Sequence, residues 1–445
     1  MTSADESSVS VAGASSGVRS AFVHALFWLA LMNAMGVMLS VLLMAPADNH
    51  LLGEWTYGRW MMVHMNLGLY GWCGLPMLGL LFEAYGVAES RVQRWARPVV
   101  WLWSASLVVG SVSWFNGETS GKLFLDWAGT ARIFFPLSMQ ALWLLLVLAF
   151  VEGVRARRWT GWLPIAVRGV PLLLLVVVPA AIYVTASAAL YPHFNPDTGG
   201  PTGASQLESS LAVVAILLLL PLAVVKLRQG AAKGFALAWG VLAVEGVLCA
   251  LMNHADSSHR DPVQYLGLAL MLPWIILLPR VYAGFAWHEG TDAWRRAFLA
   301  WWMGLVLTGW IVFLPGVLDR LKFTDGLVGH SLTAIAGCLS AFLVLVMQQM
   351  LGPDQQIFRS RWAFMAWNHS VLLYVVLMFV AGWIEGGNPG FTIVPGVGRN
   401  LIYGLRVLSG LGMFAASMEW LLAAWRTSAE GLVRKSMFTA TKEVA

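Results

Sequence analysis

A short list of ionisable side chains falls inside long apolar runs of this chain: His24, His64, Glu245, His330, His369, Arg406 and Glu419. Placing such a group in hydrocarbon costs about 2.5–3.5 kcal/mol on insertion scales, so each needs a partner or a task. Imidazole is the informative type, because its neutral ring nitrogen ligates transition metals. His254 directly follows another apolar run. The spacing of the runs puts His64, His254 and His330 at one level, in the outer third of three different helices, and places His24 and His369 near the opposite side. Imidazoles converging between helices hold heme iron in many bundles, with apolar and aromatic walls around the macrocycle. The 24 Trp and 21 Phe offer such walls. Arg59, Arg399 and Arg406 fall near the same end, where guanidinium groups pair with propionate carboxylates. The plainer reading of each histidine, a hydrogen-bonded packing residue, stands beside this one. Glu245 and Glu419 read first as polar contacts between helices, since two isolated carboxyls make no proton path.

The elements that must position these groups follow from composition. Hydrophobic residues are 58% of the 445, charged residues 11%, and the mean hydropathy is +0.70. Soluble domains carry roughly 25% charged residues. The chain therefore reads as an all-α, polytopic membrane bundle of about twelve transmembrane helices, because lipid offers no partner to an unpaired backbone group. The spans are expected near Ser20–Met44, Met61–Ala84, Val99–Phe115, Ile133–Val151, Pro171–Leu190, Leu211–Val225, Gly234–Met252, Gln264–Ala286, Ala297–Val317, Leu327–Met350, Phe364–Ile384 and Leu401–Trp425. Residues 1–18 read as a disordered cytoplasmic tail, 19–426 as the membrane domain and 427–445 as a cytoplasmic C-terminal tail. The stretch from Tyr191 to Gly203, dense in Pro, Gly, Asn and Asp, is expected to be ordered without being helical.

Loop charge sets the orientation. Arg91, Arg94 and Arg97, then Arg155, Arg157 and Arg158, then Lys226, Arg228 and Lys233, Arg295 and Arg296, and Arg359 and Arg361 all fall in alternate loops. The intervening loops hold few basic residues. By the positive-inside rule the basic loops and both termini are cytoplasmic, and the membrane is expected to be a bacterial inner one. The net charge of +5 is thus topological and gives no reason to expect nucleic acid as a partner. Cys73, Cys249 and Cys338 have no metal-type spacing. Walker, Gly-x-Ser-x-Gly and His-Glu-x-x-His motifs are absent from the sequence, which leaves nucleotide and hydrolase chemistry unsupported.

Gly58-Arg59-Trp60-Met61-Met62-Val63-His64-Met65-Asn66, running to Gly71, resembles the second helix of subunit I of the heme-copper oxidases, nearest the C-type cbb oxidases and the nitric oxide reductases. Gly117-Glu118-Thr119-Ser120-Gly121-Lys122 is similar to their loop after helix three, and Phe323-Thr324-Asp325-Gly326-Leu327-Val328-Gly329-His330 to the approach to helix ten. Asn368-His369 with Leu373-Tyr374 and Val380 to Gly386 resembles helix eleven, and Tyr403 with Arg406 to Trp425 helix twelve. The resemblance implies twelve helices, His64 as a ligand of a low-spin heme b, and cytochrome or other respiratory subunits as partners besides the lipid bilayer.

Departures from that pattern narrow the function. Where the family has His-x-His on helix ten, this chain has His330-Ser331-Leu332, and leucine binds no iron. Asn253-His254 keeps one of two adjacent copper histidines, with His259 further on. Ser205, Gln206, Leu207 and Glu208 stand where a third is expected, and Trp301 and Trp302 where the oxidases place a cross-linked tyrosine. Copper is not expected. The resulting expectation is a membrane subunit holding one heme b on His64, with His330 and then His254 as candidate partners, or a five-coordinate heme on His64 or His330. It takes part in respiratory electron transfer without a working heme-copper centre. Two alternatives stay open: a divergent terminal oxidase or nitric oxide reductase using His254, His259 and His330, and a cofactor-free structural or assembly subunit.

Overall fold

Backbone groups that cannot find water must pair along the chain, and in the computed structural model, which describes residues 14–122, 124–187, 189–190, 206–252 and 260–443, with side chains as far as Thr427, every span is accordingly a helix. The spans are α1 (Ser16–Met44), α2 (Tyr57–Ala84), α3 (Arg91–Phe115), α4 (Ala131–Arg155) and α5 (Trp162–Thr185). They continue as α6 (Gln206–Leu219), α7 (Ala232–Met252) and α8 (Pro262–Ala283), α9 (Asp292–Val312), α10 (Asp325–Leu351) and α11 (Arg361–Glu385), and α12 (Val397–Glu443). Among the described residues, 10 of these helices are long and apolar enough to cross a membrane. The two that fall short are α6, with 14 residues, and α9, whose 21 residues include Asp292, Arg295 and Arg296 near its start. Each expected span is thus a helix. The Tyr191–Gly203 stretch, His254 and His259 lie outside the described residues.

Caps mark the helix starts where the sequence supplies them. The Ser15 hydroxyl accepts from the Val18 amide at the head of α1, Thr324 from Gly326 at the head of α10, and Ser360 from Ala363 at the head of α11. Helices α10, α11 and α12 pack side by side, and α12 returns against α1, so the bundle closes on itself. The most interior spans are α2 and α10, with 67% and 61% of their apolar windows buried, against 11% for the peripheral α5. These two helices carry His64 and His330.

They share a second feature. Each is interrupted by a π-helical segment, Leu67–Cys73 in α2 and Thr333–Leu339 in α10. His64 and His330 each stand three residues before the interruption. The wider turn shifts the side chains that follow around the axis, a device common at functional sites. The two interruptions meet: the Trp72 indole donates to the Ser340 hydroxyl at 2.8 Å, and that hydroxyl donates to the Ile335 carbonyl across the wide turn at 2.8 Å. The segments beyond them, Gly74–Ala84 and Ser340–Leu351, also pack together, so α2 and α10 run in the same direction.

Close backbone approach holds α10 against α11. A Cβ at Gly382 would stand 2.1 Å from the amide nitrogen of Gly326. Backbone cannot step aside, so the contact requires glycine. Gly382→Ala is expected to cost about 1–3 kcal/mol by overpacking, read as a lower melting temperature of the purified protein. Alanine at Gly404, which has nothing within 4 Å of its would-be Cβ, is the neutral control.

Candidate functional site

His64 lies on the inward side of α2 against α1. Its Nδ1 meets the backbone carbonyl of Met32 at 2.7 Å. A carbonyl only accepts, so Nδ1 carries the proton and Nε2 is left with its lone pair. A ring fixed in this way by its second nitrogen is how metal-binding histidines are usually oriented. Gly36, on the next turn of α1, has no Cβ: one built there would stand 2.9 Å from Cε1 of His64. Met32, Met35 and Met62 pack against the hydrophobic core, and they and His64 remain only partly buried.

His330 is held by the same logic on a different face. Its Nδ1 lies 3.2 Å from the Thr308 hydroxyl, which donates its own proton to the Gly304 carbonyl at 2.8 Å. With that proton committed, the threonine oxygen accepts and the Nε2 of His330 is again unprotonated. The ring also abuts Gly309, where an added Cβ would be 3.3 Å away. His330 thus faces α9, whereas Leu332, two residues on, packs with Leu377, Met378, Ile402 and Tyr403 between α11 and α12. Two positions apart on a helix look in nearly opposite directions.

The Trp72–Ser340 bridge sets the relative height of these rings. His64 precedes Trp72 by eight residues and His330 precedes Ser340 by ten, which at 1.5 Å per residue is roughly 12 and 15 Å along parallel helices. The two imidazoles therefore share one level to within about a turn, held by separate neighbours, α1 and α9.

Above them the arginines are tied mostly to the protein. Arg406 Nε donates to the Tyr374 hydroxyl at 2.6 Å, its NH1 stands 3.7 Å from the Asp325 carboxylate, and its guanidinium lies over the rings of Tyr374 and Tyr403. Arg59 donates to the Phe115 carbonyl at 2.9 Å beneath Gly117. Arg399 donates to the carbonyls of Leu43 and Thr392 and to Asn400 Oδ1, fastening α12 to α1. A guanidinium has five N–H donors, so Arg406 and Arg59 keep donors beyond these bonds.

The other polar residues of the spans are structural. His24 bonds the Ser104 hydroxyl at 2.7 Å and meets Trp101 edge to face. Glu245 accepts from the Trp274 indole at 2.7 Å. His369 bonds its own helix at the Met365 carbonyl and is exposed, as is Glu419. Trp301 donates to Asn368 Oδ1, and Trp302 to the Trp274 carbonyl. Among the described residues no group of three or more His, Cys, Asp or Glu could hold a metal ion.

The residues around His64 fit a heme b axial ligand: a tethered imidazole with Nε2 unprotonated, a glycine-relieved α1 surface, and guanidinium donors toward one end. Sequence reading singled out His64, His330, Arg59 and Arg406. It missed the Met32 carbonyl, Gly36, Thr308 and the Trp72–Ser340 bridge. A backbone carbonyl carries no sequence signal, and a lone glycine, threonine or tryptophan in an apolar helix carries little.

No family model matches the chain, and no curated protein matches it in sequence. In three dimensions it is similar to a heme-copper terminal oxidase, solved as a dimer by cryo-electron microscopy, with a TM-score of 0.56 and 15% sequence identity. The match covers 93% of this chain and 84% of that one. The fold is thus that of a heme-copper terminal oxidase, in a multi-pass membrane protein.

The loop between α3 and α4 lies beside the His64 helix. Asp126, almost fully buried, accepts from Asn66 Nδ2 at 3.1 Å, and its main-chain carbonyl accepts from the Trp114 indole at 2.6 Å. Its Oδ1 has no hydrogen-bond partner among the described residues. Burial pushes this carboxyl above its ordinary range, opposed by the Asn66 hydrogen bond. A carboxyl whose pKa is raised by folding costs stability above that value, and the cost fades as pH falls through it toward the unfolded value. Asp126→Asn is expected to raise the melting temperature at pH 7–8, by a margin that shrinks on acidification. A margin independent of pH would contradict this account.

Proposed function

We propose that this chain is a heme-copper-oxidase-like membrane subunit that binds one heme b through His64 and takes part in respiratory electron transfer, without a working heme-copper binuclear centre. The observation that carries the reading is the His64 tether, in which the 2.7 Å contact of Nδ1 with the Met32 carbonyl leaves Nε2 as a ligand on one of the most buried helices. A b-type heme there supplies a one-electron carrier. The chain's own part would be to fix the imidazole tautomer through the Met32 carbonyl and to offer Arg406 and Arg59 to the carboxylates of the group.

The sequence supports the C-type relationship and the loss of copper, since Asn253 stands in place of one of the two adjacent copper histidines and residues 205–208 contain no histidine, while Leu332 removes a second heme-iron ligand on helix ten. Loop charge supports an orientation with both termini inside, and the resemblance to the cbb oxidases supports a bacterial cytoplasmic membrane. The chain has no Cys-x-x-Cys-His motif, so a c-type donor would belong to a partner respiratory subunit.

A second reading rests on His330. Its Thr308 tether repeats the His64 arrangement on the α9 side, and the sequence offers His254 and His259 as further candidate ligands. With these as ligands of a second metal, the protein is a divergent terminal oxidase or nitric oxide reductase.

A reduced-minus-oxidised spectrum with iron and copper quantification on purified protein separates the readings. The proposal expects a b-type spectrum, about one heme per chain and no copper. His64→Leu is expected to abolish the spectrum, and Gly36→Ala to weaken or shift it by pressing on the imidazole. Two hemes, or copper near one per chain with oxygen or nitric oxide consumption, favours the second reading. A colourless wild-type protein overturns both.

A further inference from the structure

A groove of about 620 Å³ runs between the C-terminal end of α9, the short helix Val317–Leu321 and the last turns of α11. Its volume is in the range of small-molecule sites, about 300–1,000 Å³. The walls are almost wholly carbon, with Ile311, Leu321, Phe379 and Val380 along its length. Ile311, Val380 and Trp383 are 45–47% exposed, so it opens sideways toward the membrane. At its inner end lies Thr308, whose hydroxyl is already committed to Gly304 and His330.

The rim is of opposite character. Arg320, in that short helix and outside the spans, lays its guanidinium over the Trp383 indole at 4.3 Å, and its Nε donates to the Trp383 carbonyl at 2.9 Å. That bond uses one of five N–H donors. No carboxylate among the described residues forms an ion pair with Arg320, while neighbouring Asp319 is paired to Arg260 at 3.3 Å. A cation and an indole above an apolar slot, at the point where a span ends, match an amphiphile with an anionic head and a hydrocarbon tail.

We propose that this groove seats one anionic phospholipid, its phosphate on Arg320 and the upper part of one acyl chain between α9 and α11. A polar ligand would leave its hydrogen bonds unmet along the carbon walls. A neutral apolar one would leave Arg320 without a counterion. The seat is independent of any heme on His64.

Native mass spectrometry of the detergent-purified full chain tests this, after exchange into mixed phosphatidylglycerol and phosphatidylcholine followed by delipidation. The wild type is expected to retain about one phosphatidylglycerol per chain. Arg320→Gln is expected to lower that retention about five-fold, the contribution of one interfacial basic residue. Val380→Trp, which fills the slot, is expected to lower it further, with elution and melting unchanged in both variants. Retention equal for the two lipids, capture of a neutral quinone instead, or undiminished phosphatidylglycerol in both variants overturns the proposal. Should Val380→Trp fail to fold, Arg320→Gln and its charge-preserving control Arg320→Lys decide alone.

Discussion

The bundle is organised around the place where its two most buried helices touch. Each of α2 and α10 contains a π-helical segment, and a single hydrogen bond from Trp72 to Ser340 joins them. In a low-dielectric interior, an indole N–H and a hydroxyl left without partners would each carry a desolvation cost, so the pair is specific as well as attractive. Once it forms, the height of α10 beside α2 is set, and with it the relative depth of His64 and His330. The Gly382–Gly326 contact then fixes α11 on α10, and α12 follows by packing on both α11 and α1.

The two imidazoles illustrate how a bundle gives similar residues separate tasks. Both are tethered through Nδ1, one by a backbone carbonyl and the other by a threonine that has already spent its proton. A Cβ at Gly36 would press on the His64 ring at 2.9 Å, and one at Gly309 would stand 3.3 Å from the His330 ring. The two rings look toward α1 and α9 respectively. Leu332, on the side of α10 that faces Tyr374 and Tyr403, fills its space with hydrocarbon.

Polar groups elsewhere in the spans behave as membrane energetics requires. His24, Glu245, Trp301 and Trp302 each reach a partner on another helix. Such bonds average well under the value expected from simple desolvation, because the unfolded chain in lipid also finds partners. Their main effect is on register. Arg406 differs from them: it gathers Asp325, Tyr374 and Tyr403 on three helices at the end of the bundle nearest His64.

The spans were legible from sequence because a run of about twenty apolar residues has one stable form in lipid, and every expected span is a helix. His64 was legible because it sits in a recognisable run from Gly58 to Asn66, and loop charge stood out because Arg and Lys are so few. The π-helical interruptions were hidden, since a helix apolar on all sides keeps the same composition whether its turns hold 3.6 residues or more. The neighbour each imidazole bonds was equally hidden, because a backbone carbonyl at residue 32 has no residue type of its own. Sequence by itself determined which segments enter the membrane and which side chains could ligate a metal. Tertiary structure alone decided which way those side chains face, since facing depends on helix rotation, and packing sets rotation to within a fraction of a turn.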